Sequence, residues 1–172
     1  MFFALCFLGM QETYAQSLAI PAPGYKSTLG AAFSSGIFLN KNAVFWGFGT
    51  DYSRFISKKW VANISMSFDQ EIAKKSGGAK SVVNTLSPSL AFGYVFSRKF
   101  ALGLGAGVGI FDDDNENGNL TFNVGSWTVG LIGVYTIYQK GRHGFDISGG
   151  IEQGIGNSDL DLTLELGYGY SF

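Results

Sequence analysis

The chain is short of the residues that most enzymes and helical membrane proteins need. It has one cysteine, Cys6, one histidine, His143, three prolines among 172 residues, and only 15% charged residues. A lone cysteine excludes disulfides, and in the segment where it lies it supplies no catalytic thiol to the mature chain. No apolar run reaches the roughly 18 residues that a transmembrane helix requires. The charge is balanced as well: without Glu12 the 13 acids become 12, equal to the 12 bases. That balance argues against nucleic acid as a partner.

What the chain has instead is glycine and aromatic residues, 25 glycines and 16% aromatics. Those shares are unusual for a soluble domain, where glycine is about 7% and charge about 25%. The length fits one domain. Residues 1–16 are expected to be a signal peptide. Met1 to Met10 is an apolar stretch, and Ala15 offers a small residue at the cleavage point, although the usual basic start is missing. The remaining domain is 17–172.

Strict two-residue alternation, the strand period, marks eight segments. The last is the clearest: Leu162, Leu164, Leu166, Tyr168, Tyr170 and Phe172 share one face, and Asp161, Thr163, Glu165, Gly167, Gly169 and Ser171 the other. The fifth sets Leu102, Leu104, Ala106, Val108 and Ile110 against Gly103, Gly105, Gly107 and Gly109. In the sixth, Ile132 and Val134 make the second face apolar too. Eight strands enclose a bore just wide enough for side chains, so the large rings must point outward and the small residues inward. A continuous greasy exterior means lipid, because it would aggregate in water. The fold class expected is all-β, an eight-stranded antiparallel up-and-down transmembrane β-barrel.

Glu165, Gly167, Tyr170 and Phe172 resemble the C-terminal assembly signal of bacterial outer-membrane barrels: a polar residue, a glycine two positions on, then two large apolar residues. With the strand pattern, the chain resembles the small eight-stranded family of the OmpA transmembrane domain and OmpX. The resemblance implies an outer-membrane protein with both termini in the periplasm, embedded in outer-membrane lipid and inserted by the barrel-assembly machinery. On that topology 56–59, 97–99 and 139–142 become short inner turns, and 72–82 and 112–124 long outer loops. Lys58, Lys59, Arg98, Lys99, Lys140 and Arg142, flanked by aromatic rings, form an interfacial belt of snorkelling cations. Pro88, which has no N–H for a ladder, is expected at a bulge near the outer rim.

Three candidate sites follow. The register points Asp51, Asp69, Asp146, Glu152, Asp161 and Glu165 inward, with Lys26 as the one inward base. Such carboxylates need hydration, protons, cations or partners such as Lys74, Lys75 and Lys80 folding over the mouth. They form either a polar plug or a narrow cation-preferring path along the glycine stripe, unless Phe45, Ile132 and Val134 fill it. Asp113, Asn115, Asn117 and Gly118 match the first half of a D-x-[DN]-x-[DN]-G calcium loop, but Val124 stands where the closing glutamate belongs, so any calcium site is weak. Lipid A deacylases and palmitoyltransferases, small barrels of similar architecture, use a histidine with a serine. Here His143 has Phe145 in place of that serine and is read as an interfacial residue. The expected role is therefore non-enzymatic and without cofactor: a structural or surface-interaction barrel, with a narrow channel or small-ligand carrier as the alternative and a lipid-modifying enzyme as a distant third.

Overall fold

The computed structural model describes residues 18–40, 43–74, 80–114, 120–155 and 160–172. The expected signal peptide, Asn115, Asn117 and Lys75 lie outside them. Eight strands follow one another: β1 Ser27–Phe38, β2 Ala43–Phe55, β3 Trp60–Lys74, β4 Lys80–Val95, β5 Phe100–Asp114, β6 Leu120–Lys140, β7 His143–Gly154 and β8 Leu160–Ser171. Each pairs antiparallel with its sequence neighbour, and β1 closes on β8, so the sheet has no edge. The backbone groups that lipid could not satisfy are thus paired between strands.

The alternation read from the sequence is the one that the barrel uses. Leu29, Phe33, Phe48, Ile64, Phe92, Leu104, Leu131 and Leu166 are exposed on the outer wall, while Ser34, Ser53, Ser67, Ser89 and Thr136 are buried inside. Two turns at the end of the barrel that carries Phe172 repeat one local design: Ser57 to Trp60 and Ser97 to Phe100 each run serine, base, lysine, aromatic. In the second, the Ser97 hydroxyl accepts from the Lys99 and Phe100 backbone N–H at 3.2 and 3.1 Å, which closes the turn. The third, Gly141-Arg142, is a two-residue hairpin whose first position has φ +60°, a conformation that favours glycine.

Three expectations are corrected. The strands run further into the expected outer loops: β3 reaches Lys74, β4 starts at Lys80, β5 reaches Asp114 and β6 starts at Leu120. Hairpins can extend beyond the lipid, where the outer face is no longer required to be apolar. The sequence there loses its alternation while the ladder continues.

Pro88 sits at no bulge. It lies mid-strand opposite Met66, and the β4–β5 ladder simply lapses between Leu86↔Ile110 and Ser89↔Gly107 with no change of register. The missing N–H leaves a gap in one ladder, whereas the register shifts fall between Val108 and Ile110 and between Thr136 and Tyr138. Lys26, finally, is exposed; it precedes β1 and so escapes the strand period.

Glycines on one strand make room for large inward groups on the next. Gly47 stands opposite Asp69, and a Cβ there would meet the Asp69 carboxylate and lie 2.6 Å from the Phe68 carbonyl oxygen. Gly150 differs, since a Cβ there would find only ordinary contacts, 3.4 Å to the Leu131 oxygen. Gly47→Ala is expected to cost ~1–3 kcal/mol, as overpacking does. Gly150→Ala is expected to change stability by less than about 0.5 kcal/mol. Urea unfolding of the refolded barrel in detergent checks both.

Candidate functional site

The barrel is filled from both ends. At the end that carries the termini, the segment Leu18–Ala22 is tucked into the lumen and buried. Its chain is fixed by two backbone donors: Ala19 N–H to the Ser53 hydroxyl at 3.1 Å and Ala22 N–H to the Ser171 hydroxyl at 2.9 Å. A Pro23-Gly24 turn, closed by Tyr25 N–H to the Ala22 oxygen at 3.0 Å with Gly24 at φ +87°, then leads it into β1. Leu18 is 1% exposed and packs with Ile20, Val61, Ala91, Ala101, Ile132 and Val134. Its Cδ2 lies 2.5 Å from where a Gly93 Cβ would be and 3.0 Å from where a Gly103 Cβ would be. Of the glycine stripe that suggested a path, Gly103 thus forms, with Gly93 of β4, the seat of a side chain. Sequence reading missed this plug because the segment has no period; the facing pair Gly93 and Gly103 was the available signal.

At the opposite end Phe45, 1% exposed, packs with Phe38, Ala43 and Ala73 and lies against Gly36, where any Cβ would overlap its ring. A polar layer fills the rest of the bore, reaching the second stopper where Asp161 pairs with Phe38 and Glu71 with Phe45. Asp51, Asp69, Glu152, Asp161 and Glu165 are buried, and Asp146 is partly so beside Gly167. Glu71, two residues beyond Asp69 in the same register, is also buried and extends the set.

Neighbouring hydroxyls and amides serve as local solvent for these carboxylates. Asn63 Nδ2 donates to Asp51 Oδ1 at 3.0 Å, Ser67 to Asp69 Oδ2 at 2.6 Å, Ser148 to Glu165 Oε2 at 2.8 Å, and Thr163 to Asp161 Oδ1 at 3.4 Å. Glu165 Oε1 is left without a hydrogen-bond partner. A cavity bordered by Ser34, Ser65, Ser67 and Glu165 measures about 10 Å³, the scale of a single water. Among the described residues no group of three or more histidine, cysteine or acidic side chains is arranged to hold a metal ion. Lys74 and Lys80 face each other as the last rung of β3 and β4, and Asp113 lies within β5 opposite Thr121.

The four residues of the assembly-signal pattern lie along β8 or just beyond it. Glu165 points into the polar layer, Gly167 makes room for Asp146, and the Tyr170 hydroxyl accepts from Arg142 at 3.0 Å. Phe172 packs its ring 6.3 Å from that of Tyr52, and its backbone exchanges hydrogen bonds with Ser27 at 2.9 and 3.2 Å across the seam.

Outside, the terminal end carries a girdle of rings. Trp60, Tyr94, Phe96 and Phe100 follow in contact at 5.3, 4.9 and 5.8 Å, with Lys59 Nζ 5.5 Å over Tyr94. His143 is exposed there, its Nδ1 2.6 Å from the Tyr168 hydroxyl. No serine hydroxyl bonds it among the described residues.

A closed barrel with an apolar wall, an aromatic girdle and a filled bore is a transmembrane β-barrel. Neither protein-family models nor curated protein sequences match the chain. Solved structures do. The outer membrane protein OprG from Pseudomonas aeruginosa superposes with a TM-score of 0.59 at 13% identity, over 88% of this chain and 97% of that one. Neisserial surface protein A does so at 0.54 and 12%, over 87% and 97%. The fold is therefore that of small outer-membrane barrels.

Leu18→Ala is expected to destabilise the refolded barrel by ~2–5 kcal/mol, the range for a buried leucine. The denaturant midpoint of the variant beside that of the parent measures it.

Proposed function

We propose that this chain is a non-enzymatic outer-membrane barrel with both termini in the periplasm and a structural or surface-interaction role at its opposite rim. The observation that carries the reading is the doubly stoppered lumen: Leu18 with Ile20 at one end, Phe45 with Phe38 at the other. A bore so filled leaves the outer rim as the working surface. That rim has a projecting element in support. Phe111 to Asp114 continue β5 and pair with Leu120 to Asn123 of β6, whereas β6 meets β7 only from Thr128 onward. The hairpin therefore stands above its β7 neighbour, and Asp112, Asp113, Asp114 and Glu116 make its sequence acidic. A partner surface of positive charge suits it, and the half calcium motif belongs to the same stretch. Insertion by the barrel-assembly machinery through Glu165, Gly167, Tyr170 and Phe172 completes the proposed life history.

The channel reading keeps one supporting feature, the acidic layer, and the same experiment decides it. Single-channel recording of the refolded barrel in planar bilayers is expected to stay silent. Reproducible cation-selective steps that weaken in an Asp51→Asn, Glu152→Gln, Glu165→Gln variant would overturn the closed-lumen reading. Deleting the hairpin segment 112–122 is expected to leave heat-modifiable migration intact, because those strand ends pair with each other rather than with the barrel wall.

A further inference from the structure

At the β6–β7 turn the terminal rim holds a recess that the preceding reading does not use. Tyr138, Lys140, Gly141, Arg142, His143 and Tyr170 line it, and its volume is about 450 Å³. Lys140 pairs with His143 across the two-residue turn, so three basic side chains come from four consecutive residues. Arg142 is held rather than loose. Its Nη1 donates to the Tyr170 hydroxyl at 3.0 Å and its Nε to the Tyr25 hydroxyl at 3.4 Å, and its guanidinium carbon lies 5.4 Å from the Tyr25 ring and 6.0 Å from the Tyr170 ring.

Five guanidinium N–H donors less these two leave three for a ligand. No carboxylate lines the recess, and among the described residues the Arg142 guanidinium bonds the hydroxyls of Tyr25 and Tyr170. The bonds to Tyr170 and then Tyr25 raise the Arg142 pKa above its ordinary value, so the site keeps its charge. His143 uses Nδ1 toward Tyr168, which leaves Nε2 for a ligand. Below the recess the outer wall is apolar, with Phe145 and Tyr168 in ring contact at 5.2 Å. A fixed, fork-shaped cation above a greasy wall matches a phosphate that carries acyl chains.

We propose that Arg142, Lys140 and His143 form a discrete site for the phosphate of an anionic glycerophospholipid, with Tyr25 and Tyr170 orienting the guanidinium. Tyr25 comes from the segment that leads out of the lumen plug, so the site exists only once that segment is docked. The choice of glycerophospholipid rests on the periplasmic placement of the termini proposed above, since lipid A occupies the other leaflet.

The test is native mass spectrometry of the refolded chain with phosphatidylglycerol, phosphatidylcholine, lipid A or soluble glycerol phosphate, folding being checked by heat-modifiable migration. One phosphatidylglycerol per barrel is expected to survive activation that strips phosphatidylcholine. Lys140→Gln, which leaves the tyrosine clamp intact, is expected to weaken retention about fivefold, and the Lys140→Gln, Arg142→Gln pair a further fivefold. The Lys58→Gln, Lys59→Gln pair, an equal charge loss at another turn, is expected to leave it unchanged. Equal losses in the two pairs, or no retention by the parent, would overturn the site. Glycerol phosphate bound as tightly as the lipid, or lipid A preferred, would overturn the assigned source. A folded parent that conducts while retaining the lipid would sink the closed-lumen reading and leave this one standing.

Discussion

The bore of an eight-stranded barrel admits little more than the side chains of its own wall, and most of this protein's composition follows from that limit. Large rings cannot go inside in number, so the wall presents them to lipid. Where a large group does go inside, a glycine opposite it gives way: Gly36 to Phe45, Gly47 to Asp69, Gly130 to Glu152, Gly167 to Asp146. The high glycine count is thus a matter of volume as much as of turns. Two glycines, Gly93 and Gly103, give way to a residue from no strand at all, Leu18.

Filling the bore in layers reconciles two demands that conflict in a membrane protein. Buried carboxylates require partners, and they find hydroxyls and an amide from the same or the adjacent strand: Ser67 for Asp69, Ser148 for Glu165, Asn63 for Asp51. Apolar clusters around Leu18 and around Phe45 flank that layer. The same arrangement puts the side chain of Phe45 in the bore at one end and that of Leu18 at the other. The proposed interactions therefore concern the two rims. One bears the acidic hairpin and the other the tyrosine-clamped arginine.

Much of the barrel was legible in the residues. Eight alternating segments, the buried acids and the short turns between β2 and β3, β4 and β5, and β6 and β7 were all readable because a strand's faces repeat every two residues, a local property. Glu71 was readable by the same rule, two positions after Asp69. Where both faces meet water the rule weakens, so the far ends of β3 to β6 read as loop. Pro88 misled for a related reason: the sequence shows that an N–H is missing, whereas the ladder decides which neighbour lacks it.

By itself the sequence determined that there are eight strands, which face of each is greasy and where the short turns at the terminal end fall, because these depend on spacing along one segment. Only the tertiary structure decided that Leu18–Ala22 fills the lumen, that particular glycines lie across from particular acids, and that Tyr25 and Tyr170 meet at Arg142. Those contacts join positions as far apart as 149 residues, Ala22 to Ser171. They depend on strand register and barrel closure, and no periodicity within a segment encodes either.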